Sequence, residues 1–502
     1  MQLNIPAPTP SVFKVEDAWK PLPRSFWDKD AAAHLFQRIS FSATPEAIQE
    51  ALHDDPESAV KRAFIEAKPL EMDKEMASFR ETAFAEYRKI YRDIQDPDEK
   101  REKRNELRQK ENKIFREYAM SWFQHARKPD NSATEKFVVF LQDVMVVDRR
   151  TIRDAPALFS MQKTLREGIK MRYPELCKAI SREPAMIKYL NLDQNTIRKP
   201  NENFARELFE LFTLGEGNYT ETDIKEAAKA FTGYRVRERY HFHFDKKRHD
   251  SGKKKVFGEI GTWNGDEVID ITFKQPAAGT FLIREMIKFY LTEEAVPEPY
   301  IEALGEQWAL RKYDFNYLIE TFFQSRLFFH PAYRGNLVKS PIQFYLGLCQ
   351  QLRLDVIPFQ GRLLKSMDVM GQSFYNPPNV RGWLYGEHWI NSTTVSARRQ
   401  VVDFLFTPLN QKRLNGNDKR DLTVAQQEER AEFLVTEERL APLLEMHPAN
   451  IAEHLTTYFI TAPFRPSYGP IMARIISSAE STQAGIRHAI IALLQSPAYN
   501  LC

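Results

Sequence analysis

With 502 residues, 43% of them hydrophobic, the chain can bury a large core, which excludes a disordered tail or a small disulfide-stapled module. Lys and Arg exceed Asp and Glu by only three, so no global field drives the whole chain onto nucleic acid or an anionic membrane. Plentiful Phe and Tyr (35 and 19) beside only 19 Gly favour long helices over turn-rich β structure, and the expected class is mainly α, a multi-helix single body.

Residues 1–30 are rich in proline and poor in periodicity, and are expected to form an extended arm on a body spanning 31–502. The amino terminus has neither the basic start nor the apolar stretch of a secretory signal, which at face value places the chain in the cytoplasm. Cys177, Cys349 and Cys502 show no disulfide or zinc spacing, and apolar runs such as Phe137 to Leu141 are too short to span a membrane. Asp30 offers an N-cap; Thr44 and Pro45 in "SATPEAIQEAL" mark a second helix start, and short helices follow to about residue 68.

From 71 to 128 almost half the residues are charged. Two long helices broken at Asp96-Pro97-Asp98 are expected, forming a protruding hairpin with Phe84, Tyr87, Ile90 and Tyr91 as its apolar stripe. Alternating acids and bases favour a solvated hairpin over a nucleic-acid arm. The run "EKFVVFLQDVMVVD" suits a buried helix or a strand equally, whereas helical periodicity is clear from Ser160 to Leu190. Between Tyr234 and Thr272 the period changes to two in "YHFHF" and glycines punctuate the rest, which predicts a small inserted β flap of two or three strands. From Pro276 onward the pattern is helical again.

The segment "PNENFARELFELFTLGEGNYTETD" concentrates carboxylates and amides at helical spacing. A helix from about Asn201 to Thr213 would bury Phe204, Leu208, Leu211 and Phe212 and present Asn203, Arg206, Glu207 and Glu210 on its other face, with Arg206 and Glu210 spaced to pair. Gly217 and Asn218 make a turn, and Thr220 with Asp223 forms a capping-box start for the next helix.

"NENFARELFELFTLGEGNYTETDIKEAAKAFTGY" resembles the signature of the bacterial domain of unknown function 1800 family. Further segments match that family in order: "AAHLFQRISFSATPEAI", "ISREPAMIKYL", the His-Asp-x-Gly stretch "RHDSGKKKVFG", "NPPNVRGWLYGEHWIN" and "LLQSPAYNL". Together they cover residue 31 to the end. The resemblance implies a predominantly helical fold, a frequent sulfatase-like companion protein and no established activity. The sequence departs from it where many members carry a Trp-His-x-His-like stretch, for here stand Leu141, Gln142, Asp143 and Val144. Many relatives also begin with an export signal.

Candidate chemistry follows from the residue types. Glu207 and Glu210, with Arg206, form a possible acid–base set if a lid desolvates them. His249 and Asp250 are the flap's acid–base candidates, with a flap-anchoring pair as the plainer reading, while His241 and His243 read as solvent-facing strand residues. Asn201, Asn203, Asn379, Arg381 and Trp383 are candidate binding residues, the last able to wall a pocket or stack on a sugar. The oxygen-rich set would suit Mg, Mn or a carboxylate-rich iron or zinc site, but adjacent His249 and Asp250 point apart on extended backbone and the histidine stretch is replaced, so no metal is expected. No cofactor or nucleophile motif is present. Two functions follow: a hydrolytic or carbohydrate-related polar cleft joining the signature helix, the His-Asp flap and the Asn-Val-Arg-Gly-Trp loop, or a non-catalytic partner of a sulfatase-like protein. The first needs Glu207, His249 and Trp383 on one surface. The second needs Arg206 and Glu207 buried in mutual ion pairs.

Overall fold

The computed structural model describes residues 13–65 and 67–502, and most of the proposed proline-rich arm lies outside them. From Phe13 onward the chain lies against the body. Trp19 Nε1 donates to the Tyr300 carbonyl at 2.7 Å, and Ala18 and Trp27 join the core. The first long helix, Lys29–Ile39, is capped by Asp28, which accepts from Ala31 N at 2.8 Å, and not by Asp30. Asp28 is the extended residue three positions before that orphan donor; Asp30 lies inside the first turn and pairs with Arg465 at 2.5 Å. Thr44 and Pro45 start the next helix as the sequence predicts.

The hairpin consists of Lys74–Arg88, a π-helical turn Lys89–Asp93 and Pro97–Ala126, with Asp96 accepting from Glu99 N at 2.7 Å at the break. Its outer half, Pro97 to Glu106, is exposed apart from the partly covered Lys100. The buried stripe is rotated from the predicted one: Met76, Phe79, Ala83 and Ile90 face inward, while Phe84 and Tyr91 are exposed. The hairpin must cover the neighbouring helix Ala155–Gly168, and that tertiary contact selects the face.

The ambiguous apolar run becomes a helix, Pro129–Val144, buried on nearly every side, which is why it shows no periodicity. Its polar residues reach different neighbours. Ser132 Oγ accepts from Phe41 N at 2.9 Å; Lys136 Nζ donates to the Ser40 and Gln37 carbonyls at 2.9 and 3.3 Å, at the C-terminal end of the first long helix. Glu135 accepts from Trp122 Nε1 at 2.8 Å and from Arg166 at 2.5 and 2.8 Å. Around this axis one hydrophobic core extends from Ala18 to Tyr499.

The flap is two separate antiparallel ribbons, β1 (Tyr234–Arg237) with β2 (His241–Phe244) and β3 (Lys254–Val256) with β4 (Glu259–Gly261). Residues 265–272, at the end of the predicted β region, are instead helix, because Asn264 and Glu267 form a capping box. Among the described residues no helix is long and apolar enough to cross a membrane.

Candidate functional site

The signature segment forms a short α-helix, Asn203–Glu207, continued by a π-helical turn, Leu208–Thr213. The wider turn changes which residues face inward. Phe204, Leu208 and Phe212 are buried as expected, but Phe209 is fully buried and Leu211 only partly, because an i→i+5 repeat rotates the later positions. Phe209 packs on Phe257 of the β3–β4 turn with ring centroids 5.0 Å apart. Beyond the turn, Gly215 and Gly217 take left-handed conformations and Thr220 with Asp223 closes the predicted capping box.

The predicted Arg206–Glu210 pair does not form. Arg206 makes a two-pronged pair with Glu221 at 2.8 Å and a longer one with Glu202 at 3.3 Å, because the corner folds the next helix back beside it. Nor do Arg206 and Glu207 bury one another: both are half-buried, and Arg206 has other partners. Glu210 is held from two sides, accepting from Tyr219 Oη at 2.7 Å and from Arg381 Nη2 at 2.8 Å. Arg381 Nη2 also reaches Glu216 at 2.5 Å. Two motifs 171 residues apart in the chain are thereby in contact.

Glu207 lies within this group without a hydrogen bond or ion pair of its own among the described residues. Burial and the neighbouring Glu210 charge raise its carboxyl above the ordinary range, against the opposing pull of Arg381 and Arg206. Tyr189 is nearby, its phenol raised by burial and then by the charges of Asp148 and Glu207.

The Pro-rich loop is positioned from below by Asp143. Its Oδ1 accepts from Trp383 N at 2.7 Å, and Gly382, at φ +85°, presses its backbone against the same carboxylate. Burial pushes the Asp143 carboxyl well up, only partly offset by that N–H. Asp143 belongs to the stretch that departs from the family pattern, so this departure sits directly beneath the Asn-Val-Arg-Gly-Trp loop. Trp383 faces inward with 8% of its surface exposed, and so offers no surface ring for a sugar to stack on. Asn379 Oδ1 accepts from Arg381 N at 2.8 Å and shapes the loop.

Asn201 and Asn203 order the approach to the helix. Asn201 N donates to Asn195 Oδ1 at 2.9 Å, Asn203 N donates to Asn201 Oδ1 at 3.0 Å, and Asn195 Nδ2 donates to the Ala228 carbonyl at 2.7 Å. The flap pair is occupied elsewhere. His249 Nδ1 lies 2.9 Å from the Thr232 carbonyl, which places the proton on Nδ1; Asp250 N donates to Thr232 Oγ1 at 2.7 Å and Asp250 Oδ1 accepts from Gly252 N at 2.8 Å. None of these bonds reaches Glu207, Glu210 or Arg381. Among the described residues no three His, Cys, Asp or Glu side chains are grouped to hold a metal ion.

Sequence reasoning missed Asp143, Tyr219 and Glu216. Asp143 had a readable signal as the one acid between Phe137 and Val147; the other two sit in the signature itself.

The architecture defines a mainly helical protein whose signature corner is bolted to a distant Pro-rich loop by carboxylate–arginine pairs. Residues 34–501 match the family described as Protein of unknown function (DUF1800), nearly the whole chain, and the protein belongs to that family. No curated protein and no solved structure matches it.

Proposed function

We propose that the face formed by Glu207, Glu210 and Arg381 binds a small hydroxyl-bearing ligand, such as a glycan, and that Glu207 exchanges a proton with it in a hydrolytic step. One observation carries this reading. Glu202, Glu210, Glu216, Glu221 and Asp223 on the same corner are all engaged by arginine, tyrosine, threonine or backbone N–H groups, whereas half-buried Glu207 is engaged by none among the described residues. A raised, unpartnered carboxyl beside a fixed guanidinium suits general acid–base work, which contributes about 10²–10⁴-fold in rate. Arg381 would orient the ligand, and Asn379 and Asp143 would fix the loop that carries it. His249 and Asp250 would serve by anchoring the flap behind the corner.

The test is a panel of chromogenic glycosides and esters assayed with the native protein, Glu207→Gln and the control Glu202→Gln. We expect turnover of at least one member, reduced about a hundredfold or more in Glu207→Gln with an unchanged Tm. Equal rates in native protein and Glu207→Gln would refute the role of Glu207, and no turnover across the panel would count against hydrolysis.

The second reading is a non-catalytic partner of a sulfatase-like companion; the mutual burial of Arg206 and Glu207 that it called for is not met, and it rests instead on the exposed Arg381–Glu216 pair and the pair of half-buried Arg206 with Glu221 as a docking surface. Co-purification that survives Glu207→Gln but fails with Arg381→Glu would support it. The buried free thiols Cys177, Cys349 and Cys502 are compatible with the cytoplasmic location proposed from the sequence.

A further inference from the structure

Two adjoining grooves, of about 560 and 580 Å³, run between the hairpin helix Pro97–Ala126 and the short helix Arg149–Ile152, sharing Arg108, Glu111 and Arg153 in their walls. Nine basic side chains line them against three carboxylates; Arg101, Arg150 and Lys188 pair with Asp98, Asp148 and Asp193 beside the grooves, so the uncompensated charge rests on Arg104, Arg108, Arg149 and Arg153. Charge is therefore concentrated here by the fold.

The three carboxylates are already engaged. Glu111 accepts from Tyr87 Oη at 2.5 Å and faces Arg239 at 3.4 Å; Asp154 pairs with Arg239; Asp368 pairs with Lys365 at 3.1 Å and accepts from Ser373 at 2.7 Å. Several arginines, in contrast, are held by groups that leave their charge intact. Arg149 stacks 3.8 Å from the Phe115 ring centre and donates to Asn112 Oδ1 at 2.7 Å. Arg104 lies 5.5 Å over Tyr91, and Arg153 donates through Nε to the Arg150 carbonyl at 3.1 Å, its terminal nitrogens making no hydrogen bond among the described residues. Arg108 is exposed and has no ion-pair partner among the described residues. Burial, with the like charges of Arg116 and Arg153 nearby, lowers the Arg149 pKa, the mark of a cation lacking its counter-charge. Aromatic and amide supports fix a guanidinium in place without neutralising it, and planar, pre-set donors are what a tetrahedral oxyanion needs.

We propose that this groove is a binding site for a small ligand carrying phosphate or sulfate groups, with Arg108, Arg149 and Arg153 as its principal contacts. Each groove is of a size that encloses a small molecule. Acids interspersed along the walls argue against a continuous nucleic-acid backbone track, which requires an unbroken basic path.

The experiment is calorimetric titration of the full chain at low ionic strength with inorganic sulfate, inorganic phosphate, pyrophosphate and tripolyphosphate, and separately with a short DNA duplex. We expect one saturable site that tightens with anion charge and weakens with added chloride, its ranking of sulfate against the phosphates separating the two sources. Arg108→Gln/Arg153→Gln, whose wild-type side chains are both exposed, is expected to weaken binding by about tenfold or more with an unchanged circular dichroism spectrum, while Arg353→Gln on another face leaves it unaltered. Equal affinities in native protein and the double variant, or uptake that never saturates, would overturn the site. Duplex binding tighter than tripolyphosphate and lost in the double variant would overturn the small-ligand assignment.

Discussion

Gly382 shows how one position carries the geometry of the loop. At φ +85° a non-glycine residue costs about 1–2 kcal/mol, and a Cβ built there would collide with the Asp143 carboxylate that holds Trp383 N. Gly382→Ala is therefore expected to lower stability by about 2–4 kcal/mol and to loosen Arg381 from Glu210. Denaturant unfolding measures the first effect; an unfolding free energy unchanged from the native protein would show that the loop relaxes freely. Glycine at this place was readable as a turn former, but its partner was not. Asp143 precedes it by 239 positions, and nothing in local sequence states that the two touch.

At the scale of elements, legibility follows the range of the signal. Starts written by neighbouring residues were readable: Thr44-Pro45, Asp96-Pro97 and the Thr220–Asp223 box all stand where their side chains can reach orphan N–H groups. Faces chosen by tertiary contact were not. The hairpin stripe rotated away from Phe84 and Tyr91 toward Phe79 and Ala83, and a π turn brought Phe209 inward. The signature residues were recognised, yet their pairing, Glu210 with Arg381 and Arg206 with Glu221, depends on how the corner closes. Thr220→Ala tests the local part. It removes the Oγ1 that accepts from Asp223 N, and loss of about 1 kcal/mol in chemical unfolding is expected. Since Asp223 Oδ1 also accepts from Phe257 N, faster hydrogen exchange at Phe257 should accompany it; protection unchanged at that amide would mean the flap does not depend on the cap.

Across the whole molecule the helix Pro129–Val144 acts as a shared axis whose buried polar groups fix where the surrounding elements dock. Hydrophobic burial supplies most of the free energy but little directional preference, whereas a buried charge tolerates only the arrangement that pairs it. Glu135 is the sharpest case. It is fully buried between the hairpin helix and Ala155–Gly168, and burial alone would raise its carboxyl. The charge and hydrogen bonds of Arg166, with His125, outweigh that and hold it down to about 2 from an ordinary 4.5. A carboxyl depressed on folding stabilises the native state fully above its unfolded value, and that contribution is lost as pH falls from 4.5 through about 2. At about 1.4 kcal/mol per unit the contribution is about 3 kcal/mol. Glu135→Gln should therefore lower stability at neutral pH by about 3–5 kcal/mol, because Arg166 is left buried without its counter-charge, and should flatten the decline of unfolding free energy between pH 4.5 and 2. Replacing both partners, Glu135→Gln with Arg166→Met, removes the orphaned cation and is expected to recover part of the loss. Urea unfolding followed across that pH range measures both effects; an unaltered acid slope in Glu135→Gln would show that other carboxylates control the acid transition.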